Sequence, residues 1–213
     1  CSSGGLRTDY AMLSRYSIQS TSDQEDYRNY AIIAANACAG LTPEQAAVWS
    51  YPQRDGDEEE TVYNMVNALL LRIHQSGHIP QLSVERKALV KEGIDYYKNI
   101  RQDIRLAQPV WPLGLADSLD HWFASALKTE EKVYLALWRR GGEDDTCQIP
   151  LAKLISGINL AGHKASVWLA YPAKALAEHV EYEIVDETEP ILTVNYHKPV
   201  MARIFEVAME CDS

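Results

Sequence analysis

The sequence predicts an α/β region followed by an antiparallel β region, and three observations support this. In residues 1–106, short apolar runs alternate with segments of helical spacing, as in parallel βα units. From about residue 110 onward, apolar residues recur with the period of two that strands require. Glycines and prolines separate these segments at short intervals, which is typical of an antiparallel sandwich. We therefore expect two domains, residues 1–106 and residues 107–213.

The composition excludes several classes of function. The formal net charge of −10 argues against a nucleic-acid partner and against an anionic membrane surface. No run approaches the ~20 apolar residues of a membrane helix, and no signal peptide is recognisable. The four cysteines show no CxxC pair, so we expect reduced thiols, no metal site among them and a cytoplasmic location. They are Cys1, Cys38, Cys147 and Cys211.

The first region alternates strands and helices. Three segments have helical spacing: residues 24–39, 58–76 and 84–105. The second has the clearest apolar face and three glutamates in its first turn, which suit the positive end of a helix. Ser22 or Asp23 can cap the first helix and Ser83 the third. The short segments 46–51 and 78–82 precede the later helices as predicted strands.

The second region contains six strand candidates. They are the segments 120–127, 132–139, 164–171, 183–186, 191–196 and 202–209. Several short strands with regular turns predict an antiparallel sandwich.

An acidic cluster near the start of the chain is the first candidate for chemistry. Asp23, Glu25 and Asp26 follow an apolar run, where a βα architecture places catalytic groups. One of them could act as a general acid/base. Capping of the following helix is the commoner role for such residues and is the competing interpretation.

Residues 1–7 form a small-residue loop that ends in a cation. Gly4 and Gly5 would let backbone amides approach a ligand closely, although an ordinary turn would look the same. The loop lacks the GxxxxGK[ST] pattern of a phosphate-binding loop. Asp9 could contact a ligand, but we favour a salt bridge to Arg7.

Aromatic and histidine residues offer further candidates. Trp49 and Tyr51 could stack on a sugar ring or pack in the core, and the pattern does not decide between these roles. His74 and His78 have the spacing of a helical metal site. Because Gly77 lies between them, we expect no metal to bind there.

Several motifs together resemble the melibiase-type α-galactosidases of glycoside hydrolase family thirty-six. These motifs occur in order: CSSGGLR at 1–7, SDQED at 22–26, PEQAAVWSYP at 43–52, MVNALLLRIHQSG at 65–77, GIDYYK at 93–98 and WPLG at 111–114. The resemblance implies an enzyme with a TIM (β/α)8 barrel. Residues 1–106 would hold the last three βα units of that barrel, and residues 107–213 its C-terminal antiparallel β-sandwich.

The resemblance also assigns roles to individual residues. In the family's CxxGxxR…SDxxD pattern, the first Asp of the second half is the general acid/base, and it maps to Asp23. The Cys and Gly of the first half line the galactose pocket and map to Cys1 and Gly4. Arg7 ends that motif and is carried over as a substrate-binding residue. Glu25 stands where the family commonly has Thr. No metal or organic cofactor is implied.

The whole enzyme would be a retaining glycosidase that hydrolyses terminal α-galactosides of the melibiose or raffinose type by double displacement. The family's nucleophile is an Asp in a Lys-x-Asp motif before the cysteine, and we find no such motif after an apolar strand here. The expected partners are therefore a galactoside and the N-terminal part of the same enzyme, with a homo-oligomer left open. This chain alone is expected to be inactive.

Two alternatives stay open. A raffinose-synthase-type galactosyltransferase would share the fold and use a sugar in place of water. A non-catalytic sugar-binding or structural module would use Trp122, Trp138 and Trp168 as a platform. These tryptophans lie in apolar runs, which favours a place in the core.

Overall fold

The computed structural model describes residues 9–155, 163–185 and 189–211. A parallel sheet and its helices come first along the chain, and two antiparallel sheets follow. The helices are α1 (Tyr10–Leu13), α2 (Tyr27–Asn36), α3 (Glu58–Leu69), α4 (Val84–Ile104) and α5 (Leu151–Leu154). The parallel sheet contains β1 (Gln19–Ser20), β2 (Ala46–Ser50) and β3 (Arg72–Gln75), in that spatial order.

Helix α3 is shorter than its sequence predicts. The sequence predicts it over residues 58–76, but α3 ends at Leu69 and β3 begins at Arg72, after only two intervening residues. Ile73 fits the apolar spacing of a helix, yet it pairs in parallel with Val48 of β2. The predicted strand at 78–82 contains a short 3-10 helix, Ile79–Gln81, because Pro80 has no N–H for a strand ladder.

The other two helices begin and end close to the predicted residues. Instead of beginning at residue 24, α2 begins at Tyr27, and a 3-10 turn extends it to Ala39. The long helix α4 is confirmed, with the Ser83 side chain accepting a hydrogen bond from the backbone N–H of Arg86. Among the described residues, no helix combines the length and the apolar character that a membrane span requires.

The antiparallel region forms a two-sheet sandwich, as predicted. The larger sheet has the order β4-β5-β6-β11-β8 and the smaller β7-β10-β9. Their strands are β4 (Gln108–Val110), β5 (Trp122–Lys128), β6 (Lys132–Arg139), β7 (Thr146–Pro150), β8 (His163–Tyr171), β9 (Val180–Val185), β10 (Ile191–Tyr196) and β11 (Met201–Cys211). Both β4 and β7 are additional to the six predicted strands.

The five-stranded sheet is buried on both faces. Along β6, Tyr134, Ala136 and Trp138 pack against α3 and α4, while the alternate residues pack against the smaller sheet. This alternation follows from the pleat, which turns successive side chains to opposite faces. The helical region and the sandwich therefore share one sheet, and their cores lie on its two opposite faces.

Polar side chains fix the helices on this sheet. The Trp138 indole N–H donates to Asn67 Oδ1 at 2.9 Å, and the Tyr171 hydroxyl donates to the Leu89 carbonyl at 3.0 Å. On α4, the Tyr96 hydroxyl donates to Glu206 of β11 at 3.0 Å. A buried polar group that loses its partner costs about 1–3 kcal/mol, so these contacts favour one docking geometry.

A buried ion pair joins α3 to β11. The Arg203 guanidinium is fully buried and donates to both Glu59 carboxylate oxygens, at 2.7 and 2.8 Å. The His179 Nδ1 lies 2.7 Å from Glu59 Oε1. The planar guanidinium matches the carboxylate in two parallel bonds, which fixes both distance and orientation.

Cys38 and Cys147 are free thiols, as expected for the two cysteine side chains that the structure describes. Burial raises the pKa of each thiol to about 12, and near Cys38 the charge of Glu44 adds to this effect. Both are therefore poor nucleophiles at neutral pH.

We predict that Arg203→Met lowers the free energy of unfolding by about 3–5 kcal/mol, because the Glu59 charge would remain buried without its main partner. Urea unfolding followed by circular dichroism measures the loss. Arg15→Met is the matched control, since Arg15 is exposed, and should change the value by less than about 0.5 kcal/mol. The double variant Glu59→Gln with Arg203→Met should recover most of the loss. Equally small losses for both arginines would contradict this prediction.

Candidate active site

The candidate site lies where the parallel strands end. Because β1, β2 and β3 run in the same direction, their carboxyl ends meet at one edge of the sheet. The segments that leave this edge are residues 21–26, 51–57 and 76–78. In open and closed parallel sheets, ligands bind at this edge.

Asp23 is an exposed carboxylate in the first of these segments. It follows β1 by three residues and precedes α2. Within the described part of the chain, its side chain has neither a hydrogen-bond partner nor an ion-pair partner. Among the described residues, none therefore holds this side chain in a structural contact, which leaves it available to a ligand.

Asp26 caps α2, so the prediction that Ser22 or Asp23 would do so is wrong. The Asp26 Oδ1 accepts hydrogen bonds from the N–H groups of Arg28 and Asn29, at 2.9 and 3.1 Å. Burial alone would raise the pKa of Asp26, but the bonds from Arg28 and the amides outweigh it and lower the pKa. Ser22 instead accepts from the N–H of Gln24. The capping role therefore belongs to one carboxylate of the acidic cluster.

Tyr30 fixes the backbone from which Asp23 projects. Its hydroxyl donates to the Ser22 carbonyl at 3.1 Å and accepts from the N–H of Trp49 at 3.1 Å. Thr21 adds a bond from its hydroxyl to the Ala47 carbonyl at 2.8 Å. A tyrosine on α2 thus ties the segment after β1 to strand β2. The sequence indicated only the apolar character of Tyr30, because a hydroxyl contact to distant backbone leaves no local pattern.

Three aromatic side chains, Trp49, Tyr51 and His74, are in contact on one face of the parallel sheet. The Tyr51 ring stacks on Trp49 with centroids 6.3 Å apart, and His74 meets Trp49 edge-on at 4.7 Å. Trp49 is half-buried, so it is neither a core residue nor a free surface residue. Burial raises the pKa of Tyr51, and the charges of Asp23 and Glu25 raise it further. Tyr51 is therefore neutral at pH 7 and lies near both carboxylates.

The histidine spacing does not correspond to a helical pair. His74 lies on strand β3 and His78 follows the Gly77 turn. Burial, with a contribution from Arg72, lowers the pKa of His74. Among the residues that the structure describes, no three His, Cys, Asp or Glu side chains are grouped closely enough to hold a metal ion.

A buried polar cluster lies behind the second segment. Glu60 and Arg86 form an ion pair of 2.6 Å, and Asn64 donates to Glu60 Oε1 at 2.6 Å. Burial raises the pKa of Glu60 to about 7, although the N–H of Gln53 and the Arg86 guanidinium favour the charged form. From its sequence position, Glu60 was predicted only to favour the helix dipole, and no local pattern pointed to Asn64 or Arg86.

The remaining predicted site residues belong to the first nine positions of the sequence. Cys1, Gly4 and Arg7 fall outside the described residues, so their contacts with a substrate stay predictions. Asp9, which we expected to pair with Arg7, accepts a hydrogen bond from the N–H of Met12 and caps α1.

The three sandwich tryptophans do not form a common platform. Trp138 is 2% exposed and packs towards the helices, as its apolar run predicted. Trp122 packs on the opposite face of the sheet against Tyr196, with centroids 4.9 Å apart. Trp168 is 39% exposed, so the prediction of a core position was wrong for it.

Comparison with solved structures finds the same fold in glycoside hydrolases. The GH36 alpha-galactosidase AgaA from Geobacillus stearothermophilus, solved in complex with raffinose, has a TM-score of 0.71 and 13% sequence identity, with 97% of this chain and 28% of that chain covered. The alpha-galactosidase from Lactobacillus brevis has a TM-score of 0.67 and 14% identity, with 99% and 28% covered. The resemblance predicted from the motifs is thus confirmed at the level of the fold.

Other comparisons limit how far this likeness extends. The gamma-CGTase from Alkalophilic bacillus clarkii also matches, with a TM-score of 0.51 and 9% identity over 85% of this chain and 28% of that chain. No protein-family model matches the sequence, and no curated protein matches it significantly. The chain spans about 28% of the length of the two alpha-galactosidases named above. What is shared is therefore a fold over part of each enzyme.

The two aspartates of the acidic cluster should differ in their effect on stability. Asp26→Ala removes the cap of α2 and is expected to lower the free energy of unfolding by about 1 kcal/mol. Asp23→Ala removes an exposed side chain that has no partner among the described residues, and it should change the free energy of unfolding by less than about 0.5 kcal/mol. Urea unfolding of the two variants beside the unsubstituted chain measures both values. A larger loss for Asp23 than for Asp26 would refute this division of roles.

Proposed function

We propose that this chain is the C-terminal portion of a retaining glycoside hydrolase that acts on terminal α-galactosides, with Asp23 as its general acid/base. The observation that carries the proposal is the free Asp23 carboxylate at the carboxyl edge of a parallel sheet. It occurs in a chain whose fold matches part of GH36 alpha-galactosidases, one of them solved with raffinose. Neither the position nor the fold alone would suffice.

The parallel sheet supports the view that it belongs to a larger barrel. Parallel sheets are normally covered on both faces. Here α2 and α3 cover one face, where Tyr30 and Ala68 of the helices pack with Val48 of β2. On the other face Arg72 is exposed and Trp49 and His74 are half-buried. We propose that β1, β2 and β3 with their helices are the last three βα units of a (β/α)8 barrel, whose earlier strands precede this chain.

The mechanism follows from a pair of carboxylates. In a retaining glycosidase two carboxyl groups lie about 5–5.5 Å apart across the anomeric carbon. The nucleophile attacks that carbon, forms a glycosyl-enzyme and expels the leaving oxygen, to which Asp23 gives its proton. Asp23 then takes a proton from the water that releases the sugar. Asp23 can serve both steps because the described structure gives it no competing partner.

The nucleophile would come from polypeptide that precedes this chain, and so would part of the sugar pocket. We propose that Cys1, Gly4 and Arg7, which precede α1 in the sequence, contact the galactose. A small residue and a glycine there allow close approach to the ring, and the guanidinium can donate to hydroxyls. The reaction requires no metal or organic cofactor, since both catalytic groups are carboxylates.

The 213-residue chain by itself should not hydrolyse 4-nitrophenyl α-galactoside, because it lacks one of two obligatory carboxylates. Release of 4-nitrophenol, measured at equal concentrations for the chain and for its Asp23→Asn variant, should be indistinguishable. The full-length protein should convert raffinose to free galactose, which chromatography detects. Turnover by the 213-residue chain well above that of its variant would show that the nucleophile lies within it. Transfer of galactose to a sugar in place of water would identify a galactosyltransferase.

A further inference from the structure

The segment after β2, residues 51–54, is held from behind by the buried side chains of Glu60, Asn64 and Arg86. We propose that these three residues are positioning residues, which fix Tyr51 as a ligand-contacting residue beside Asp23. This inference rests on the proposed function for the identity of the ligand, a galactoside. The positioning itself rests on contacts within this chain.

The cluster makes four hydrogen bonds to the backbone of the segment. Asn64 Oδ1 accepts from the N–H of Tyr51 at 3.2 Å, and Glu60 Oε1 accepts from the N–H of Gln53 at 3.0 Å. The Arg86 guanidinium donates to the carbonyl of Gln53 at 2.7 Å and to that of Arg54 at 3.2 Å. Side chains of two helices therefore form hydrogen bonds to three residues of one loop, namely Tyr51, Gln53 and Arg54.

The cluster can impose one geometry because it is closed and buried. The side chains of Arg86 and Glu60 are 5% and 7% exposed. Asn64 donates to Glu60, and the Arg86 Nε donates to the Thr61 hydroxyl at 2.7 Å. Apolar residues could join two helices at least as well as a buried ion pair. Here the donors and acceptors form hydrogen bonds to the backbone of the loop, which indicates that the cluster fixes the conformation of the loop.

The opposite side of the segment is also tightly fitted. Gly77 has a φ of +83°, and a Cβ there would lie 2.7 Å from the Pro52 carbonyl oxygen. The N–H of His78 donates to the same oxygen at 3.0 Å. Pro52 is thus confined between the cluster and the turn after β3. Tyr51, next to it, has its backbone N–H fixed by Asn64 and its ring stacked on Trp49.

Tyr51 has the chemistry and the place of a sugar contact. An aromatic ring offers an apolar face to the C–H groups of a sugar, and its hydroxyl can bond a sugar hydroxyl. Within the described residues, the Tyr51 hydroxyl has no hydrogen-bond partner. Burial and the charges of Asp23 and Glu25 keep this hydroxyl protonated, so it can donate. Its nearness to Asp23 places the contact beside the group that would transfer the proton.

Hydrogen exchange of individual amides, measured by NMR on the 213-residue chain, tests the positioning. Asn64→Ala should speed exchange of the Tyr51 amide, and Glu60→Ala that of the Gln53 amide, each about tenfold or more, because each removes the side-chain acceptor. Asp55→Asn, on the same loop but exposed, should leave both rates unchanged. Val194→Ala, buried between the two antiparallel sheets, controls for a general loss of stability and should not affect these amides selectively. Unchanged protection in both cluster variants would overturn the positioning.

Kinetics of the full-length protein test the ligand contact. Tyr51→Ala should raise KM for 4-nitrophenyl α-galactoside about fivefold, as expected for a lost aromatic contact. Asn64→Ala should raise KM similarly, and the double variant should add little to either single change. Additive effects, or an unchanged KM in both single variants, would overturn the role of Tyr51. If the protein hydrolysed no galactoside, the proposed function and the role of Tyr51 would both fail, and the exchange rates would separately show whether the cluster holds the segment.

Discussion

Two adjacent carboxylates in the first turn of α3 tie the described structure together. Glu59 forms two bonds to the fully buried Arg203 of the sandwich, and Glu60 pairs with Arg86 of α4. Adjacent residues on a helix point about 100° apart, so one turn can reach two different neighbours. The positive end of the helix favours both negative charges. The sandwich, the helices and the loop beside Asp23 therefore depend on the same helical turn.

The sequence predicted the order of elements better than their ends. The apolar face of α3 and the strands of the sandwich follow repeating patterns, which local sequence displays. The change from helix to strand between Leu69 and Arg72 follows no such pattern, because Ile73 suits either conformation. Its pairing with Val48 determines that this segment is a strand. Strand β7 escaped prediction for a related reason. Its five residues alternate buried and exposed positions too briefly to stand out, and β10 supplies the pairing.

The candidate site was predictable in part. The motif resemblance singled out Asp23, whereas the capping pattern could not distinguish it from Asp26. Glu60 shows why the rest was missed. With Asp57 three residues before it, the sequence fits a capping box, in which the Glu side chain returns to the N-cap backbone. Asp57 does accept from the N–H of Glu60, but the Glu60 carboxylate bonds Gln53 and Arg86 instead. Contacts so distant along the chain leave no local signal.

A fold shared with alpha-galactosidases and a carboxylate without a hydrogen-bond or ion-pair partner among the described residues together lead to the central proposal that Asp23 is a general acid/base. Azide rescue in the full-length protein tests it most directly. With an aryl α-galactoside whose leaving group needs no proton, Asp23→Ala should accumulate the glycosyl-enzyme, because no base activates water. Azide needs no base, so it should restore turnover about tenfold or more and yield α-galactosyl azide, with no such effect in Glu25→Ala. Undiminished activity of Asp23→Ala, or the absence of the azide product, would contradict the claim.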